Sequence, residues 1–200
     1  MRLYLFRHGQ SEWQQQLSSS LDTSLTDVGH EQASWMAAWL SGEVEVASGL
    51  DLDIRHLVTS PMKRAMQTTE YVATALGMQP EVHESLTEAP FHVADHLPTA
   101  EHPFADHTSS APNPCYTDFR AQADKALRLL VACADRHGSP IVVISHGGLL
   151  KTLLRQVVGS ENVCFSLYNA AANVIEWKRG RWHLVHLNLW DHLPPELRTQ

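Results

Sequence analysis

Ile141-Val142-Val143-Ile144 is an unbroken apolar, β-prone run, with Pro140 before it and Ser145-His146-Gly147-Gly148 after it. A strand that is apolar at every position must be covered on both faces, as in the interior of a parallel sheet. Arg2 to Phe6 reads as another buried strand, ending at Arg7-His8-Gly9, and Ile54 to Val58 as a third, leading into Thr59-Ser60-Pro61. Glu81 to Leu86 reads as a shorter, weaker one. Helical patterns lie between the strands. Thr26 is an N-cap with Asp27 in the first turn, and Val28, Gln32, Trp35/Met36 and Trp39/Leu40 recur at helical spacing up to Gly42, with both tryptophans expected in the core. Ser60 as N-cap with Pro61 at the first helical position opens a second helix that ends at Gly77. Phe119 to Ala134 reads as a third, closed by Arg136-His137-Gly138, and Gly147-Gly148 opens a fourth carrying Leu149/Leu150, Leu153/Leu154 and Val157/Val158. Val174 to Trp177 and Trp182 to Leu187 read as a terminal hairpin. Alternating strands and helices of this kind predict an α/β fold whose largely parallel sheet is covered on both faces.

The length of 200 residues suits one domain, with a surface excursion at about 88–115, where Pro, His and Asp are frequent and periodicity is lost. A formal net charge of −7 argues against nucleic acid or an anionic membrane as partner. A small phosphorylated substrate remains open, because a local arginine cluster can oppose the global sign. Cys115, Cys133 and Cys164 are odd in number and form no CxxC spacing, which suits reduced thiols. The apolar stretch Leu3 to Phe6 stops at Arg7, short of a signal-peptide core, so a cytoplasmic location is expected by elimination.

Position along the strands carries the chemistry. Arg7-His8, Arg64 and Ser145-His146 all follow the carboxyl ends of apolar runs, and Glu88 follows the next. In a parallel sheet these groups emerge along one edge, where α/β folds bind ligands. Two guanidiniums supply a fork of donors suited to a phosphoryl group, and N–H groups after His146, at a helix N-terminus, would add to that anion site. A neutral imidazole can attack phosphorus, and a carboxyl group can protonate the leaving oxygen. Such a set needs neither metal nor other cofactor, since positioning and charge neutralisation supply most of the catalysis in phosphoryl transfer.

Arg7-His8-Gly9-Gln10-Ser11-Glu12-Trp13 resembles the RHGxSxW signature of the histidine phosphatase superfamily, the phosphoglycerate-mutase-like enzymes. The likeness continues through Leu25-Thr26-Asp27-Val28-Gly29, Thr59 to Thr68, Ser145-His146-Gly147-Gly148 and the run from Leu187 to Leu193. It implies a three-layer αβα sandwich and a phosphatase that forms a phosphohistidine on His8. Arg7, Arg64 and His146 would hold the phosphoryl oxygens, Glu88 would donate the proton, and Ser11, Gln14 and Gly147 would contact substrate. Gln14 stands where the family has Asn. After Glu88 the chain reads Ala89-Pro90-Phe91-His92, where phosphatases of this type often read LxEIDFG around the acid, so a different substrate pocket is expected.

Two other functions compete. A mutase of this family carries an ERxYGxLxGxNK segment after the acid and His-Gly-Asn at the second histidine; this chain has neither. A catalytically inactive phospholigand-binding protein would have lost the nucleophile or an arginine, and all are kept. A phosphoprotein substrate is compatible with the same pocket. The second Arg-His-Gly, at Arg136-His137-Gly138, reads as a helix end. His92, Asp95, His96, His102, Asp106 and His107 suggest a metal, but a Pro-broken stretch offers no rigid scaffold for one, and none is expected there.

Overall fold

The computed structural model describes residues 1–17, 20–46, 49–105 and 113–200. Among them, six strands form one sheet in the order β3-β2-β4-β1-β5-β6. The strands are β1 (Arg2–Arg7), β2 (His56–Thr59), β3 (Glu81–Val82), β4 (Ile141–Ser145), β5 (Ala172–Lys178) and β6 (Arg181–Leu189). β4 runs parallel to both β1 and β2, and β2 parallel to β3, while β5 and β6 are antiparallel additions beside β1. β4, apolar over its first four positions, is central and wholly buried, as its composition demands.

Helices α1 (Asp27–Leu40), α2 (Lys63–Leu76), α3 (Pro114–His137) and α4 (Gly147–Val158) cover both faces. Side chains alternate across a strand, so Tyr4 and Phe6 join Val142 and Ile144 beneath Met36, Trp39 and Val72 of α1 and α2. Leu3 and Leu5 join Ile141 and Val143 on the opposite face, beneath Leu130, Leu150 and Leu153 of α3 and α4. The result is the three-layer αβα sandwich.

Local chemistry fixes the helix ends. Thr26 Oγ1 accepts the Gly29 N–H at 3.1 Å, the expected cap of α1. Gly77 and Gly159 close α2 and α4 with φ of 63° and 70°, a region costly for any residue with a Cβ. The terminal hairpin turns on Arg179 and Gly180, both left-handed at φ 53° and 75°, the turn whose twist matches its strands.

Several boundaries differ from the sequence reading. α2 begins at Lys63, because Ser60 caps only the Met62 N–H, at 3.3 Å, and its hydroxyl is engaged elsewhere. β3 stops at Val82 where its partner β2 runs out; the His83 N–H closes onto Thr59 O at 3.0 Å and a 3-10 turn, Glu84–Leu86, follows. α3 starts at Pro114, five residues before Phe119, with Asn113 Oδ1 accepting the Cys115 N–H at 2.9 Å. Proline at the first position of a capped helix has the same composition as a loop, which hides this start in the sequence. Trp39 is core at 1% exposure, but Trp35 is 38% exposed, on the flank of α1 that turns away from the sheet.

Candidate active site

Strand register assembles the site. Arg7 pairs with Ser145 across β1 and β4, so the residues that follow each strand, His8 and His146, leave the sheet side by side with ring centroids 5.1 Å apart. Thr59 pairs with Ile144 across β2 and β4, which brings Ser60 beside them and aims the start of α2, with Arg64, at the same edge.

Each ring is held by one nitrogen. His8 Nδ1 lies 2.6 Å from the Gly9 carbonyl oxygen, an acceptor, so Nδ1 carries the proton. That leaves Nε2 as the lone-pair nitrogen, and it accepts Arg64 Nε–H at 2.9 Å. His146 Nε2 lies 2.7 Å from Ser60 Oγ, which already accepts the Met62 N–H. Nδ1 of His146 is buried without a partner. Arg7 Nε is likewise buried and unpartnered, while its Nη1 donates to Leu167 O at 2.8 Å. The orphaned Arg7 donor favours an acceptor-rich anion such as a phosphoryl group.

Burial, and then the neighbouring Arg64, push both histidines well below 6.5. They are therefore neutral at neutral pH, the form in which Nε2 of His8 has a pair to give. Burial brings Arg7 down to about 10, offset in part by Glu88, so its guanidinium is still charged at neutral pH. The site is cationic within a chain whose formal charge is −7.

Glu88 sits at the N-terminus of α4. Its Oε2 accepts the Gly148 N–H at 2.9 Å, and its Oε1 accepts those of Leu149 and Ala89 at 3.1 and 3.0 Å. The helix N-terminal amides expected to receive a phosphoryl group are thus occupied by the Glu88 carboxyl group. Three of about four lone-pair directions are filled, leaving one on Oε2 for a proton. A Cβ on Gly148 would overlap Glu88 Oε1 and stand 3.1 Å from Cδ. Because that obstacle is a side-chain tip, Gly148→Ala is expected to leave stability within about 1 kcal/mol of the parent. Turnover is expected to fall about 100-fold through displacement of the acid. Thermal unfolding and steady-state kinetics on the same preparation check both halves.

Of the remaining expected residues, Ser11 and Gln14 are hydrogen-bonded to one another. Ser11 is buried, and its N–H and Oγ both point to Gln14 Oε1 at 3.1 and 3.3 Å. Gln14 Nε2 donates to Asn169 Oδ1 and Gln200 O, both at 2.9 Å, and Asn169 Nδ2 donates to His8 O at 3.1 Å. Gly147 allows close approach: a Cβ there would lie 3.3 Å from Arg7 Nε. Asn169 and Lys151 had no motif to announce them, and Ser60 reads from sequence as a helix cap alone. Lys151, one turn into α4, lines a cleft of about 530 Å³ with Arg7, Glu88, Trp13, Phe91, His92 and Phe165. Burial, and then Arg7, lower its pKa.

Among the described residues, the histidines of the excursion do not converge. His92 lies beside Trp13 in the cleft, with ring centroids 6.2 Å apart, and His96 Nδ1 meets Asn113 Nδ2 at 3.2 Å. Asp106 and His107 lie outside the described residues. No helix among the described residues is long and apolar enough to cross a membrane.

Comparison with known proteins follows the same lines. The uncharacterized phosphatase PhoE of Bacillus subtilis is 25% identical over 197 residues, 94% of this chain and 95% of its own. A mycobacterial glucosyl-3-phosphoglycerate phosphatase solved with VO3 superposes at a TM-score of 0.69, with 22% identity over 94% of this chain and 99% of that one. A phosphoserine phosphatase of Entamoeba histolytica, solved with 3-phosphoglyceric acid, gives 0.70, with 22% identity over 96% and 99%. Residues 3–189 match the histidine phosphatase superfamily (branch 1), and the chain belongs to that family.

Proposed function

We propose that this chain, a phosphoric monoester hydrolase of the histidine phosphatase superfamily, transfers the phosphoryl group of its substrate to His8 Nε2 and then to water. The observation that carries the proposal is the pairing of His8 Nε2, a neutral lone-pair nitrogen, with Arg64 Nε at 2.9 Å, with Arg7 Nε and His146 Nδ1 both buried and unpartnered. Incoming phosphoryl oxygens take the Arg7 donor and draw the Arg64 N–H off the nucleophile. Nε2 then forms a bond to phosphorus as the ester P–O bond breaks, and Glu88 Oε2 gives its proton to the leaving oxygen. In the second step Glu88, now a carboxylate, takes a proton from water as its oxygen attacks phosphorus. The N–P bond breaks, and the imidazole returns to its neutral form. The residues involved are the chain's own, and activity in EDTA is expected. EDTA-sensitive turnover of p-nitrophenyl phosphate, with the unfolding midpoint unchanged by EDTA, would contradict the mechanism.

We further propose that the leaving group carries a carboxylate. Lys151 supplies a cation in the cleft wall just beyond Arg7 and Glu88, and Trp13, Phe91 and Phe165 give that cleft an apolar lining. Relatives named for phosphoserine and glucosyl-3-phosphoglycerate act on esters of this kind. Lys151→Met is expected to raise KM for phosphoserine or 3-phosphoglycerate about 10- to 100-fold, the worth of a charge-assisted hydrogen bond. KM for p-nitrophenyl phosphate should change less than about 3-fold. Equal losses on both substrates would contradict a carboxylate anchor. A cleft of about 530 Å³ suits a small molecule, and three unpaired cysteines support a cytoplasmic setting.

A further inference from the structure

At the β3 edge of the sheet, apart from the catalytic pocket, three imidazoles and a thiol gather around one carboxylate. Glu81 and His83 are two apart where β3 leaves the sheet, and Cys133 and His137 are four apart on the last turns of α3. Spacings of two along extended chain and four on a helix both set side chains on one face. Two elements thereby present a pair of donors each, the arrangement by which a strand and a helix clamp a tetrahedral ion.

Ligand atoms of Glu81, His83 and Cys133 all lie within 4.8 Å of one another, and His137 approaches the same carboxylate from a second group, His56-Glu81-His137. His83 Nε2 lies 2.7 Å from Glu81 Oε1, and Cys133 Sγ and His137 Nε2 both lie 3.9 Å from Oε2. Donors bound at 2.0–2.3 Å to a tetrahedral zinc ion stand roughly 3.3–3.7 Å from one another. These contacts to Glu81 bracket that value, and closing the set requires rotation of the exposed His137 side chain toward His83 and Cys133. Cys133 is the fixed point, at 1% exposure. His56 has a different part. Its ring stacks on His137 at a centroid distance of 3.9 Å and an interplanar angle of 9°. Two parallel rings at that separation share no plane in which one ion could meet both lone pairs. His56 Nε2 lies 2.9 Å from Glu81 Oε2, as an outer hydrogen bond that orients a ligating carboxylate.

We propose that Glu81, His83, Cys133 and His137 form a structural site for a borderline-soft divalent cation of the zinc type, with His56 as its positioning residue. The site ties the C-terminal end of α3 to the edge strand β3. From there the chain runs directly through the Glu84–Leu86 turn to Glu88. The bound ion closes an otherwise open sheet edge and anchors the start of the segment that carries the proton donor, taking no part in phosphoryl transfer.

Cobalt(II) titration of the full-length metal-stripped protein tests this, because a thiolate-to-cobalt charge-transfer band and intense tetrahedral d–d bands report ligand type and geometry. We expect saturation at one ion per chain, displacement by zinc, and a zinc-dependent rise in unfolding midpoint of roughly 5 °C or more at an excess of about 100 Kd. The charge-transfer band should vanish in Cys133→Ser and persist in Cys115→Ser, Cys164→Ser and His8→Ala. His83→Ala should weaken binding at least 10-fold, and His56→Ala less. No charge-transfer band in the parent, its persistence in Cys133→Ser, or its loss in His8→Ala would each overturn the proposal. Should Cys133→Ser fail to fold, His83→Ala and Glu81→Gln carry the same test through affinity, and unchanged affinity in both would overturn it. EDTA-resistant turnover is compatible with the site, so its failure and failure of the catalytic reading are separate results.

Discussion

His8→Ala is expected to reduce phosphomonoester turnover by about four orders of magnitude or more, because the nucleophile and the covalent route are lost together. The fold should tolerate the change. His8 lies beyond the end of β1, and its N–H bond to Ser145 O and the Asn169 bond to its carbonyl belong to the backbone. Ligand affinity should be largely kept, since Arg7, Arg64 and His146 remain to hold a phosphate. The parent's pH dependence is part of the same prediction. Burial and Arg64 hold His8 far below 6.5, so kcat/KM should not fall on the acid side with the midpoint near 6.5 of an ordinary histidine. A mutant that binds phosphate, unfolds like the parent and is inert separates catalysis from scaffold. Retained turnover in His8→Ala would assign the chemistry to another group.

Gly29→Ala is expected to destabilise the protein by about 3 kcal/mol or more, a drop in midpoint of roughly 6–12 °C. On an exposed helix the same change would stabilise by nearly 1 kcal/mol, so the sign itself is diagnostic. Gly29 lies in the first turn of α1, packed on the loop that follows His8. A Cβ there would overlap Gln10 O and stand 3.0 Å from both Gln10 C and Gln10 N. Gly9 faces the reverse problem, since its added Cβ would overlap the Gly29 carbonyl oxygen and stand 3.0 Å from its carbon. The obstacles are backbone on both sides, so neither can swing away. Urea unfolding checks the magnitude. A Gly29→Ala protein as stable as the parent would mean that the loop carrying His8 is free to move off α1.

The alternation of apolar runs and helical patterns was legible because strand burial and helix amphipathicity are written into neighbouring residues. The end-of-strand positions of His8, Arg64 and His146 followed from it, and parallel registry did the rest. The capped start of α1 was visible for the same reason. Elements whose ends depend on distant partners were not. β3 is short because β2 ends at Thr59, and Ser60 is not the cap of α2 because it meets His146, 86 residues away. Within the site, the seat of Glu88 on Gly148 and Leu149, the Gln14–Asn169–His8 brace and the cation at Lys151 join residues 60 or more positions apart or carry no motif. The histidines of the excursion drew attention by density alone. The cluster at Glu81 draws its ligands from ordered elements and was invisible because its members are scattered over 82 positions, from His56 to His137.

The most direct test of the catalytic account is to mix the enzyme with substrate, quench in alkali within milliseconds, and locate the phosphoryl group by intact mass and peptide sequencing with 31P NMR. We expect one acid-labile, alkali-stable phosphoryl group on Nε2 of His8, appearing before free phosphate and absent from His8→Ala. Free phosphate released at full rate with no phosphoenzyme, or a phosphoryl group on His146 or any other residue, would contradict it.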